Sequence, residues 1–501
     1  MSSGAWVLFG LVLASSALGF LAARWGHANL TKIDEWALGG RDFGTIVSWF
    51  LVGGDIYTAY TFIAVPALVY GVGALGFFPV SITAVSYPVV LVVLVRFWGI
   101  ARKRGYVTTA DFVRDRFGDR SLEIAIACTG AVATMPYIAL QLVGMKAVFS
   151  QLGGPFAMDN GLPALAIAFL LVAANTYASG LRAPALIAIV KDTLIYVTVI
   201  VAIAIIPGKL GGWKHIFDAV GPVLAARPKP SSILLAPPQY FTYATMILGS
   251  ALALFLYPSS VTSILAARSK QVLRRNAALL PVYSLMLGFL ALLGYCAIVA
   301  GIDVGARGSN SVVPLLFARF FPDWFAGVAG AAIVIGALVP ATIMCIGAAN
   351  LLASNVFREF SPGRGPVGVP MAKFFTLLMC ASGLFFIFFV PVTYAIDFQL
   401  LGGALMLQIL PAFVLGLWTR WLHPRALLAG WATGVVASCA MAYASGFASN
   451  FTLHLFGISL TGFIAFYGLV ANLCVTVAAT AVLRGVGVSV GSDRTLAADY
   501  A

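Results

Sequence analysis

The sequence predicts an all-α polytopic membrane protein of about 13 transmembrane helices, with a core of two inverted five-helix repeats. Three observations carry that expectation. Of 501 residues, 61% are hydrophobic and only 9% charged, where soluble domains carry about 25% charged residues. Apolar runs of about 20 residues, enough to cross a bilayer as a helix, recur along the whole chain. Two of these runs are interrupted near their centres, and they lie five helices apart.

The runs fall at residues 5–24, 44–71, 75–98, 122–151, 161–181, 184–206, 240–258, 277–301, 324–354, 373–392, 394–419, 426–446 and 457–483. Placing the N-terminus outside puts 22 of the 30 Lys and Arg on the cytoplasmic side and 7 on the outer side, with Lys191 inside a helix. That bias orients the chain with a cytoplasmic C-terminus. It also accounts for the net charge of +13 without a nucleic-acid partner; the partners expected are the lipid bilayer and a small solute. Connections are short. The outer stretch 207–239 carries Trp213 and several prolines, and suits the membrane interface. The inner stretch 101–121 mixes both charge signs and suits a turn with a short helix.

Other signals point to no soluble chemistry. Met1–Gly4 has no basic stretch, so no cleavable leader is expected. The six cysteines sit in apolar runs without CxxC spacing and read as small hydrophobes. Gly71–Gly76, "GVGALG", matches GxGxxG but follows a membrane run, not a strand. His27, His215, His423 and His454 are scattered, so no metal cluster or cofactor is expected. No nucleophile–base set suggests an enzyme.

Polar residues inside the runs mark the candidate site. Asp55 lies in the second run, Lys191 and Asp192 in the sixth, and Asp397 near one end of the eleventh. A membrane-buried charge is rare and is a functional candidate unless a structural pair or the interface explains it. Gly53-Gly54 precede Asp55 and Pro66 follows; Gly249-Ser250 and Pro258 interrupt the seventh run. Such patterns mark discontinuous helices whose unwound backbone can hold ions and substrate. An odd five-helix spacing makes the second unit inverted. The units expected are 1–43 (first helix and inner loop), 44–206 (first repeat), 207–239 (outer loop), 240–419 (second repeat) and 420–501 (last two helices and tail). Tyr57, Thr58, Tyr60 and Thr61 supply hydroxyls after Asp55, for a substrate or for bonds between helices.

Together these residues resemble the sodium:solute symporter family over nearly the whole chain. The motifs are "DEWALGGRDFG" (Asp34–Gly44), "GYVTTADFVRDRFG" (Gly105–Gly118), "SGLRA" (Ser179–Ala183) with "VKDTLIY" (Val190–Tyr196), "YPSSVTSILAARSKQVLRRNA" (Tyr257–Ala277) and "LPAFVLGLWTRWLHPRALLAGWATG" (Leu410–Gly434). Asp192 falls on the family's aspartate and Lys191 on its usual threonine. The resemblance implies a LeuT-like fold with substrate and ion between the two broken helices. "VKDTLIY" and "GLWTRWLHPRALLAGWA" (Gly416–Ala432) are most similar to the bacterial monocarboxylate permease branch. That implies a secondary symporter in the bacterial inner membrane importing lactate- or pyruvate-type acids. The candidate substrate residues are Tyr57, Thr58, Tyr60, Gln141, Lys191, Gly249 and Ser250.

The resemblance also implies an ion site built from carbonyls at Gly53 and Ile56 and a hydroxyl pair in the ninth helix. Here the pair falls on Val339 and Pro340, which have no hydroxyl, with Thr342 nearby. A hard cation needs several oxygens. The expectation is therefore proton coupling through Asp55, with Asp192 as a second titrating group. The alternatives are a sodium site made from Asp55 with the Gly53 and Ile56 carbonyls, in a symporter of another small solute, and an uncoupled channel or sensor.

Overall fold

A computed structural model of the chain describes residues 2–22, 32–55, 57–152, 162–360, 368–389, 396–455 and 457–500. Each of the thirteen expected runs holds an apolar helix among these residues. In chain order they begin with α1 (Ser3–Ala22), α2 (Thr45–Gly54) and α3 (Val65–Val72), the last entered through a π-helical turn at Tyr60–Ala64. Next come α4 (Phe78–Val89) and α5 (Val95–Arg104), then the short α6 (Thr109–Phe117). The long α7 (Arg120–Leu152), α8 (Leu162–Ser179) and α9 (Arg182–Lys209) follow, with α10 (Gly212–Ala225) in the connection after them. The second half contains α11 (Tyr240–Leu254), α12 (Pro258–Leu265), α13 (Lys270–Leu279), α14 (Pro281–Val299), α15 (Val312–Phe320), α16 (Asp323–Leu351), α17 (Val369–Phe389) and α18 (Ile396–Met406). The last elements are α19 (Pro424–Ala444), a hairpin of β1 (Asn450–Leu455) and β2 (Ile458–Phe463), and α20 (Ile464–Gly485).

Among the described residues, nine helical runs are each long and apolar enough to cross a membrane alone, and the bent pair ending in α12 makes ten. Three shorter apolar helices lie within α1, α2 and α8. The count differs from thirteen where breaks and turns divide or join runs. The unbroken 45-residue run Tyr60–Arg104 reverses at Gly73–Phe77, where Gly73 takes φ 65° and Gly76 lies against the Val69 backbone. The GxGxxG glycines thus serve a close turn between α3 and α4.

α16 is the buried axis, and every residue of its most apolar stretch is covered by protein. Small residues permit this. A Cβ on Gly327 would stand 2.3 Å from the Gly4 carbonyl oxygen, so α1 and α16 meet backbone to backbone. α7 and α9 pack on the same axis.

Two expectations about elements need correction. The seventh run does not unwind at Gly249-Ser250. α11 continues through both residues to Leu254, and the chain bends by 47° only before α12. The reason is local. Pro258 opens α12 and has no N–H to continue the previous helix, whereas Gly249 lets Phe463 close to 2.7 Å of a would-be Cβ. The thirteenth run does not begin as helix at 457. Residues 458–463 form β2, paired antiparallel with β1 around Gly457 at φ 79°. β-branched Thr452 and Thr461 face each other in that register and favour strand.

The arginine-rich end is closed by polar contacts. Asn355 donates to Asp111 at 2.7 Å and Glu123 at 2.9 Å, and accepts from Thr108 at 2.8 Å. The C-terminal residues dock there too. Arg116 pairs with Asp493 at 2.5 Å and Arg104 with Asp499 at 2.6 Å. Beside them lies a hollow of about 310 Å³ lined by Arg104, Arg114, Arg358 and acidic neighbours. At the opposite end, Arg227 donates to the Tyr70 carbonyl and its guanidinium stacks over the Tyr70 ring.

Candidate functional site

The first discontinuous helix is set by its own sequence. α2 stops at Gly54, and regular helix resumes only at the π-helical turn from Tyr60. Two glycines weaken the helix just before Asp55. Pro66 at the start of α3 leaves the Phe62 carbonyl without its usual donor. The backbone groups freed between are bound by side chains. Gln141 of α7 accepts from the Ala59 amide at 3.1 Å, Thr58 from the Tyr60 amide at 2.9 Å, and Thr61 from the Thr58 amide at 3.4 Å.

Asp55 sits at the break, 5% exposed. Its Oδ2 accepts from Ser260 at 2.5 Å and Ser259 at 3.3 Å, both in the first turn of α12. A helix N-terminus also favours negative charge. Asp55 Oδ1 is buried with no hydrogen-bond partner among the described residues. Ser260 Oγ has a second neighbour, the Leu254 carbonyl at 3.2 Å, where α11 ends. One hydroxyl therefore lies between the two breaks.

Lys191 approaches the break from α9 and is fully buried. Its Nζ donates to the carbonyls of Gly54 and Tyr57, each at 2.9 Å, and pairs with Asp192 Oδ1 at 2.9 Å. Tyr283 donates to Asp192 Oδ2 at 2.9 Å. Tyr57 in turn donates to the Tyr283 carbonyl at 2.9 Å. Gly53 and Gly54 make room for this cluster: a Cβ on Gly53 would fall 2.2 Å from the Tyr283 ring, and one on Gly54 2.9 Å from Lys191 Nζ.

A cavity of about 20 Å³, room for about one water, lies on the other side of the break. Tyr60, Pro79, Ile82, Thr83, Tyr137, Ser250, Leu254 and Gln399 line it. Ser250 Oγ and Gln399 Oε1 are buried there with no partner among the described residues. Of the seven substrate candidates, Tyr60 and Ser250 face this cavity. Tyr57 and Lys191 belong to the cluster behind the break, Thr58 and Gln141 cap its amides, and Gly249 packs on Phe463. Of the ion candidates, Asp55, Gly53 and Asp192 surround the break, and Ile56 lies outside the described residues. Asp397 accepts from Ser449 at 3.0 Å, away from the site. Sequence reasoning missed Ser259, Ser260, Tyr283, Thr83, Tyr137 and Gln399. The serines stood in "YPSSVTS", directly after the proline that opens α12, and a hydroxyl pair at a helix start was the available signal.

The model of the sodium:solute symporter family matches residues 36–434. The chain belongs to this family. A relative from Rhizobium johnstonii, named as a monocarboxylate transport permease protein, is 48% identical over 95% of this chain and 96% of its own length. An uncharacterized symporter of Bacillus subtilis, YodF, is 29% identical over 93% of this chain and 91% of its own. Among solved structures, a Na⁺-coupled sialic acid symporter in a substrate-bound outward-open state superposes with a TM-score of 0.77 at 17% identity, over 99% of this chain and all of that one. The nucleobase-cation-symport-1 transporter Mhp1 superposes at 0.54 and 10% identity, over 89% and 94%. The fold is LeuT-like, and the protein is a multi-pass membrane transporter, not an enzyme.

The hydroxyl pair expected in the ninth run falls on residues within α16. Val339 and Pro340 bring no side-chain oxygen. Thr342 spends its hydroxyl on the Leu338 carbonyl of its own helix at 2.9 Å. Among the described residues no cluster of three His, Cys, Asp or Glu could hold a metal ion.

Proposed function

We propose that this sodium:solute symporter imports a short monocarboxylate of the lactate or pyruvate type, together with a proton. The observation that carries the substrate is the 48% identity, over nearly all of both chains, to a protein named as a monocarboxylate transport permease. The cavity supports the reading by its chemistry and not by its size, which is about 20 Å³. Its polar groups are hydroxyls and one amide, and no ionised side chain lines it.

That lining also supports the coupling. A carboxylate entering a site without a cationic partner carries an uncompensated charge into low dielectric. A proton travelling with it removes the cost. Asp55 is the acceptor, through the Oδ1 that lacks a partner. With Asp55 ionised, the Ser260 hydroxyl donates to Oδ2. With the proton on Oδ1, Oδ2 loses its charge and accepts more weakly, and the Ser260 hydroxyl hydrogen turns to the Leu254 carbonyl. Leu254 lines the cavity, so the protonation state of the first break reaches the substrate side of the second.

In the same reading the arginine-rich end faces the cytoplasm of a bacterial cell, and residues 44–206 and 240–419 rock against each other as inverted repeats. A sodium-coupled symporter of another small solute is the second reading. It would draw on the Asp55 carboxylate and the carbonyls of the break.

The test is uptake of radiolabelled lactate and pyruvate into proteoliposomes, with pH and sodium gradients imposed separately. Accumulation driven by the pH gradient with choline replacing sodium, and lost in Asp55→Asn, is expected. Strict sodium dependence, or accumulation by Asp55→Asn, overturns proton coupling. Uptake of sugars or proline instead overturns the substrate.

A further inference from the structure

We propose that the Lys191 ammonium is a tethered cation that permanently fills a monovalent-cation site formed by the unwound backbone of the first broken helix. The inference deepens the proton-coupled reading above and rests on it for its role in transport.

The geometry is that of an occupied cation site. Three oxygens surround Nζ at 2.9 Å each: the Gly54 carbonyl, the Tyr57 carbonyl and Asp192 Oδ1. An ammonium has three donors and no acceptor; two go to the carbonyls, and Asp192 Oδ1 lies at ion-pair distance. The carbonyls are free to bind it because the helix is broken there; in a regular helix they would accept from amides four residues on. The fourth side is shaped for the lysine too. Gly54 leaves space that a Cβ would take from Nζ, and Tyr283 holds Asp192 by its second oxygen.

A free cation uses the same kind of ligands, carbonyl and carboxylate oxygens. The ammonium supplies the same charge without a concentration dependence. The consequence is specific: external sodium has no access to this cage while Lys191 is present. Removing the ammonium exposes the oxygens of Gly54, Tyr57 and Asp192, and a threonine at 191 adds one more.

The test reads cation binding, not transport, so its failure and the failure of the substrate or proton assignment are distinguishable. Thermal unfolding of the purified full-length protein is measured in sodium chloride and in choline chloride at matched ionic strength. The wild type is expected to melt at the same temperature in both. Lys191→Thr is expected to melt lower in choline and to rise by at least about 3 °C in sodium. Lys191→Gln, which keeps a donor but not the charge, serves if the threonine variant does not fold. Sodium-specific stabilisation of the wild type overturns the proposal. So does the absence of any sodium response in whichever of the two variants folds.

Discussion

The Ser260 hydroxyl donates to Asp55 Oδ2 across 2.5 Å, joining two broken helices whose residues stand 205 positions apart in the chain. Ser260→Ala should therefore uncouple the breaks. A hydrogen bond to a charged group contributes about 1.5–3 kcal/mol, so the initial uptake rate per folded protein should fall by about tenfold or more. Ser259→Ala, at 3.3 Å, should cost less. Equal effects of the two would show that the contact is only packing.

Gly53 tests the cluster behind the break. A methyl group there meets the Tyr283 ring, and overpacking of this kind costs about 1–3 kcal/mol. Gly53→Ala should lower the melting temperature clearly. Gly10→Ala, where a Cβ meets nothing within 4 Å, should leave it unchanged. Thermal unfolding in detergent compares the two.

The cavity makes a kinetic prediction. Ser250 Oγ is a buried hydroxyl without a partner on its wall. Ser250→Ala should raise the KM for the monocarboxylate by about tenfold, the loss of one hydrogen bond to a charged group, while folding is retained. Gly249→Ala, one residue away, should instead impair folding through Phe463. A Ser250→Ala protein with an unchanged KM would remove this serine from the substrate path.

The docked C-terminus should be separable by charge. Its contacts are Asp493 with Arg116 and Asp499 with Arg104, and the Arg494 amide also donates to the Asp115 carbonyl at 2.8 Å. Hydrogen bonds from Arg104 hold the Asp499 carboxyl below its ordinary value of 3.8. Asp499 thus contributes its pairing fully above that value and loses it as pH falls through the depressed one. At neutral pH the tail should resist trypsin at Arg494, and Asp493→Asn with Asp499→Asn should open it to cleavage. Equal cleavage of both proteins would refute docking.

The fold was legible because apolar length is a one-dimensional property, written directly in runs such as 324–354. The first break was legible for a similar reason: Gly53-Gly54-Asp55 is a local conflict with helix that no neighbour hides. At the second break the same reasoning chose the wrong conflict. Gly249 is small because Phe463 needs the space, and only the folded chain brings Phe463 there. Lys191 was legible as a buried charge next to Asp192, but its carbonyl partners lie 137 and 134 residues away. The serines facing Asp55 were hidden by distance in the same way. The hairpin at 450–463 was missed because its second strand is apolar enough to read as an extension of the following helix.

The ends of the two broken helices also meet away from the ion cluster. The Phe43 amide donates to the Ala266 carbonyl and the Arg268 amide to the Phe43 carbonyl, both at 3.1 Å. These are strand-like bonds between backbones, just before α2 and just after α12. Side chains take no part in these bonds, although Phe43 and Ala266 are themselves buried in the core. Whatever tilts one of these half-helices pulls the other with it, as two links of one chain.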